Sequence, residues 1–111
     1  ALLAPPRDGG TIAARYFMPW KCHPSMAVTG AQCIASCALT PGTVADGLPQ
    51  GLKGRSPEHV VIEHPSGHLD VTVSFDRTPE GIELRSAGLV RTARLLARGE
   101  VMVPAGIWDG R

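Results

Sequence analysis

Thr29-Gly30-Ala31-Gln32-Cys33-Ile34-Ala35-Ser36-Cys37-Ala38-Leu39 carries no charged side chain and ends just before Pro41-Gly42. Thr29, followed three residues on by Gln32, has capping-box spacing, and Val28 and Cys33 stand where a hydrophobic staple closes around such a box. The stretch predicts a helix from about Gly30 to Leu39, stopped by a proline that cannot extend it and a glycine suited to the turn beyond. Ala31, Cys33, Ile34, Ala35, Cys37, Ala38 and Leu39 leave almost no polar side, and a helix that is apolar all round is a buried one. Its small side chains let surrounding backbone come close. The rest of the chain must therefore supply a cover.

The flanking sequence supplies it as strands. Before the helix, Thr11 to Phe17 follows the Asp8-Gly9-Gly10 turn signal and reads as a strand ending at Met18-Pro19, with Trp20 to Ser25 as a polar loop. After it, Gly42 to Pro57 is a glycine-rich connection, and His59 to Glu63 leads into the turn His64-Pro65-Ser66-Gly67. Leu69, Val71, Val73 and Phe75 then alternate with Asp70, Thr72 and Ser74, a strand with one dry face and one wet face. Ile82 to Arg94 is a third apolar-polar stretch, and Arg98-Gly99 a reversal before Val101-Met102-Val103. Leu89 to Leu96 also fits a short helix, and Pro104 to Arg111, with Trp108, a packed or fraying terminus. The pattern is α+β: an antiparallel-rich sheet wrapped around one buried central helix.

At 111 residues, 43% of them hydrophobic, the chain has the material for one domain, residues 1–111, and not for two. A formal charge of +1 provides no global field to recruit nucleic acid or an anionic membrane, so any anion must be held locally. No stretch approaches the roughly 20 apolar residues that span a bilayer. Three cysteines make no even disulfide framework, and two of them share the predicted helix, which points to a reduced, cytoplasmic setting. The opening Ala1-Leu2-Leu3-Ala4-Pro5-Pro6 has neither initiator methionine nor basic leader and reads as the exit from an earlier structured segment.

Several motifs occur in a recognisable order: Arg15-Tyr16-Phe17-Met18-Pro19, Cys22-His23-Pro24, Ala27-Val28-Thr29-Gly30-Ala31, Pro41-Gly42-Thr43-Val44, Glu63-His64-Pro65-Ser66-Gly67 and Arg91-Thr92-Ala93-Arg94. Together they resemble the C-terminal half of the PrpF family, which includes methylaconitate isomerase and 4-oxalomesaconate tautomerase, and this version looks closer to the tautomerase. The resemblance implies a fold similar to diaminopimelate epimerase, with two related domains and a ligand between two helix N-termini. It implies strands over Ala87 to Val103. It also implies a small carboxylic acid as substrate, no cofactor, and a partner in the N-terminal half of the same enzyme or a second copy. The epimerases carry a catalytic cysteine just before the Thr-Gly-Ala of this helix. Ala27 and Val28 stand there instead, which disfavours a two-cysteine racemase and assigns the family's reactive cysteine and lysine to the other half.

Moving a proton next to a carboxylate or keto group needs a base, a return route for the proton, and a holder for the negative charge of the enolate-like intermediate. The free amides around Gly30, Ala31 and Gln32 meet the last need, and Gly30 lacks a side chain to obstruct approach. Plain capping by Thr29 explains the same residues equally well. His23, in the loop entering the helix, is a candidate to exchange a proton or hold a carboxylate, or simply a loop histidine bonding backbone. Lys21 can offer positive charge to a carboxylate, while Ser25 and Met26 are candidate lining residues. The candidate catalytic pair is thus His23 and Lys21, and the candidate substrate contacts are Ser25, Met26, Thr29, Gly30 and Ala31.

Cys22, His23, Cys33 and Cys37 nominally make a zinc set, but two of them lie in an apolar helix, so no metal site is expected. Cys22, being in the loop, keeps some claim to reactivity if Lys21 lowers its pKa. Glu63, His64 and His68 read as solvated flanks of a turn, and Arg91 and Arg94 as opposite faces of a strand. Two other functions stay open: a methylaconitate-type isomerase, and a half-domain that binds a partner or small acid without catalysis.

Overall fold

A computed structural model of the chain describes residues 1–110. Its eight elements are β1 (Leu2–Ala4), β2 (Ile12–Arg15), β3 (Phe17–Met18), β4 (Lys21–Cys22), α1 (Val28–Leu39), β5 (Glu58–His64), β6 (Gly67–Thr78) and β7 (Gly81–Leu89). Five strands form one sheet in the order β1-β2-β5-β6-β7, and β3-β4 is a separate two-residue ribbon. The β2/β5 pair is parallel, and the other three pairs of the large sheet are antiparallel. Parallel neighbours need a long crossover, and the segment carrying α1 supplies it.

Period-two burial places the core on one sheet face. Ile12 and Ala14 on β2, Val60 and Ile62 on β5, and Val71, Val73 and Phe75 on β6 are all buried. Register reinforces this, because Ile12 lies opposite Ile62, and Val60 opposite Val71. Against that face α1 sets Gly30, Ala31, Ile34, Ala35 and Ala38. Spacings of three and four residues put these on one stripe, and the alanines let the helix sit close to β5, β6 and β7.

The helix departs from its sequence reading in two respects. It begins at Val28, with Ala27 as N-cap and no side-chain cap, so the Thr29/Gln32 capping box does not form. Gln32 turns to tertiary use: its Nε2 donates to the Ala87 carbonyl at 2.6 Å, pinning α1 to β7. Nor is the helix covered all round, since Val28 and Cys33 are exposed. The sheet covers one side of α1 and does not wrap it.

Two segments were misread in kind. Trp20 to Ser25 is not all loop, since Lys21 and Cys22 pair with Met18 and Phe17. The strand expected over Ala87 to Val103 stops at Leu89, and Val90 to Val103 contains neither strand nor helix. Val90, Leu95, Leu96, Val101 and Met102 there are strongly exposed. The resemblance that implied strands there does not carry over: a strand needs a hydrogen-bonded neighbour, and beyond Leu89 this segment has no place in the sheet order. Arg91 and Arg94 accordingly stand on no strand. The expected terminus at Pro104 to Gly110 contains one turn, closed by the Ile107 amide on the Pro104 carbonyl at 2.8 Å, and Arg111 lies outside the described residues.

Candidate functional site

The start of α1 leaves its first backbone amides without intrahelical acceptors. Ala31 N–H makes the first intrahelical bond, to Ala27 O at 2.8 Å, so the amides of Val28, Thr29 and Gly30 have no partner within the helix. The first turn contains no acidic residue and no capping side chain, and Val28 and Thr29 are exposed. The partial positive charge of the helix end is not neutralised by α1's own side chains.

Gly30 plays a different part from the expected one. It is buried, and a Cβ built on it would lie 2.6 Å from Tyr16 Cε2 and 3.0 Å from Tyr16 Cδ2. The space left by the missing side chain admits the Tyr16 ring, not a solute. Ala31 and Met26 are buried as well. Gly30, Ala31 and Met26 therefore belong to the packing beneath the helix start, and Val28 and Thr29 are the exposed residues of its first turn. Gly30→Ala should lose about 1 kcal/mol net, because overpacking costs about 1–3 kcal/mol while helix propensity returns about 1 kcal/mol. A lowered urea midpoint and a shifted His23 ring resonance would report it; a raised midpoint would show that Tyr16 yields freely.

The loop before α1 is tied down residue by residue. His23 N–H donates to Tyr16 O at 2.6 Å, and the Tyr16 and His23 rings meet edge-on at 6.5 Å. Ser25 N–H donates to His23 Nδ1 at 3.0 Å. A ring nitrogen that accepts carries no proton, so neutral His23 bears its hydrogen on Nε2. It is thus a backbone-anchored histidine that presents an N–H, and its remaining nitrogen suits donation to an anion better than proton abstraction.

Sequence reasoning placed the β5–β6 turn elsewhere, in solvent. It packs on this loop: Ser66 Oγ donates to the Pro24 carbonyl, and Ser25 Oγ lies 3.2 Å from His64 Nε2. Ser66 N–H donates to His64 Nδ1 at 3.2 Å, so neutral His64 also bears its hydrogen on Nε2. Burial pushes the His64 pKa below its ordinary value; a hydrogen bond with the His68 backbone opposes this, and electrostatic repulsion from His68, Arg15 and His23 adds to it. Glu63 is likewise no solvated flank. It is buried, and its carboxylate accepts the amides of Arg7 at 2.8 Å, Asp8 at 2.7 Å and Gly10 at 2.9 Å. These bonds, led by that from Arg7, hold its pKa below the usual carboxylate range.

Of the remaining candidates, Lys21 and Cys22 sit exposed on β4. Cys22 Sγ lies 3.6 Å from the His23 carbonyl. Cys22 and His23 do not join Cys33 and Cys37 in a ligand set: among the described residues, no group of three or more His, Cys, Asp or Glu is placed to hold a metal ion. Burial and the neighbouring Cys33 push the Cys37 thiol up, away from thiolate character. A separate open cleft of about 500 Å³ runs along β1 and β2, lined by Arg7, Arg15, His64 and His68 among others. It takes in Glu63, His64, Pro65 and Gly67 from the β5–β6 turn region and contains neither His23 nor the helix end.

A model of the PrpF protein family matches residues 8–104, most of the chain. The chain belongs to the PrpF family. Among curated PrpF relatives, "4-oxalomesaconate tautomerase" of Pseudomonas putida is 41% identical over 109 residues, which cover 98% of this chain and 29% of that protein. "(4E)-oxalomesaconate Delta-isomerase" of a Novosphingobium species is 37% identical over 105 residues, covering 92% of this chain and 28% of that protein. The chain thus spans less than a third of the length of these PrpF relatives. Among the described residues no helix is long and apolar enough to cross a membrane.

Proposed function

We propose that the chain is the C-terminal domain of a two-domain, cofactor-independent isomerase. Its substrate is a small unsaturated di- or tricarboxylic acid resembling 4-oxalomesaconate. The observation that carries this reading, beside the relatives' names, is the uncapped start of α1: two exposed residues whose amides have no partner within the helix, no acidic residue in the first turn, and a histidine and a serine from the adjoining loop. Such an end favours a carboxylate or an enolate oxygen. In the proposed reaction the amides of Val28 and Thr29 hold that oxygen. The His23 Nε2–H stabilises the charge that develops as the proton leaves carbon, Ser25 contributes a hydroxyl, and Lys21 lends long-range positive charge. The proton-abstracting base belongs to the companion domain, because the imidazoles of this loop present N–H groups. The site then lies between the two lobes, in a cytoplasmic enzyme.

The test is direct. Full-length protein carrying this sequence, given 4-oxalomesaconate, should change the ultraviolet absorbance of the substrate as the double bond moves out of or into conjugation. No change at enzyme concentrations up to those of the substrate would remove the tautomerase reading.

A further inference from the structure

The Ser25–His64 contact joins residues 39 apart in sequence, and neither the helix nor the sheet requires it. Resting on the isomerase reading above, we propose that His64 is the positioning residue of this site: it fixes the Ser25 hydroxyl so that its proton is donated to a carboxylate oxygen of the substrate. The argument is one of hydrogen-bond inventory. A serine hydroxyl has one proton to give and lone pairs to receive. His64 Nδ1 is committed to the Ser66 amide at 3.2 Å, so the ring reaches Ser25 Oγ as a donor, through Nε2–H at 3.2 Å. A hydroxyl that receives from His64 has no reason to direct its own proton there, and the proton is left for another acceptor. Two restraints hold the oxygen in place: the Ser25 amide is bound by His23 Nδ1 at 3.0 Å, and the turn carrying His64 is fastened to the same loop through Ser66 Oγ and the Pro24 carbonyl. Ser25 directly precedes the buried Met26, so the loop cannot drift. Ser25 is half-buried and stands in the loop that leads into the uncapped start of α1 at Val28, where the electrostatics favour an anion.

Two substitutions separate positioning from turn architecture. His64→Gln can place an amide N–H where Nε2–H was, keeping the donation to Ser25. His64→Asn places its oxygen where Nδ1 was, keeping the Ser66 amide satisfied but losing the donor to Ser25. In the full-length protein, His64→Asn and Ser25→Ala should each raise KM by about 10-fold with a smaller change in kcat, the loss of one hydrogen bond to a charged group. His64→Gln should stay within about 3-fold of wild type. The reverse pattern, with asparagine normal and glutamine impaired, would show that His64 serves only the turn and would overturn the proposal.

Two measurements are independent of turnover. Ring ¹⁵N spectra without substrate should show His64 as the Nε2–H tautomer, perturbed by Ser25→Ala; an Nδ1–H tautomer would overturn the assignment. Calorimetric binding of fumarate, a plain unsaturated dicarboxylate, should follow the same order of variants as KM. If wild type fails to turn over 4-oxalomesaconate yet fumarate binding follows that order, the isomerase reading falls and the role of His64 stands. Absent fumarate binding, or equal affinity in all four proteins, would overturn the role of His64.

Discussion

Glu63→Ala is expected to lower the thermal midpoint by about 10 °C, more than the loss of any exposed carboxylate in the chain. The reason is geometric. One buried side chain accepts three main-chain amides, those of Arg7, Asp8 and Gly10, and alanine leaves all three without an acceptor while keeping them near the sheet. Close packing adds to the dependence, since a Cβ on Gly10 would lie 2.6 Å from Glu63 Cγ and 3.1 Å from the Val61 carbonyl. The loop cannot simply close over the gap with other side chains. A pH dependence follows as well. The folded-state pKa of Glu63 is depressed, so the unfolded chain takes up its proton first on acidification. The stabilisation is complete above the ordinary glutamate pKa of about 4.3 and is lost as pH falls through the lower folded value. His64, also depressed, acts with the same sign but in a higher window, beginning near the ordinary histidine pKa of about 6.5. Unfolding midpoints from pH 7 to 3 should therefore fall in two stages, with the lower stage absent in Glu63→Gln. A midpoint for Glu63→Ala within about 2 °C of wild type would show that the 7–10 loop finds water or other partners at no cost.

The second large effect is on catalysis. His23→Ala in the full-length protein should reduce kcat/KM for 4-oxalomesaconate by about 10²-fold, the scale on which removing one preorganised donor to a developing oxyanion is felt. The argument again starts from a hydrogen bond. Because Ser25 N–H occupies His23 Nδ1, the ring offers Nε2–H without having to gain a proton, and its orientation is fixed before substrate arrives. His23→Gln should recover part of the loss, since its amide can replace the N–H, whereas a role as proton acceptor would leave glutamine as poor as alanine. Turnover unchanged in His23→Ala would remove His23 from the chemistry and leave it as a loop anchor.

Those features governed by local periodicity were legible in the residues alone. The alternation of Val71, Val73 and Phe75, the apolar run ending before Pro41-Gly42, and the β5–β6 turn at Pro65-Ser66-Gly67 all follow from side-chain spacing and backbone preference. What was not legible depends on who neighbours whom. Thr29 and Gln32 have the spacing of a capping box, yet Gln32 finds the Ala87 carbonyl on β7, a partner 55 residues away that no local rule can weigh. Val90 to Val103, where the family resemblance implied strands, has no adjacent strand to pair with. Gly30 looked like an opening for a ligand, and Tyr16 fills it; the Arg15-Tyr16-Phe17 motif is near the helix only after folding. His64 was hidden for the same reason, because Pro-Ser-Gly marks a turn equally well whether it lies in solvent or against the loop of His23. The one available signal for Glu63 was Asp8-Gly9-Gly10: two consecutive glycines give a loop whose amides can converge on a single acceptor.

The account depends on the start of α1 being where the acid binds. The most direct measurement is an amide ¹H–¹⁵N titration of the full-length protein with fumarate. Saturable shifts at Val28 and Thr29, accompanied by the rings of His23 and His64, are the predicted result; shifts confined to the cleft of Arg7 and Arg15 would contradict it.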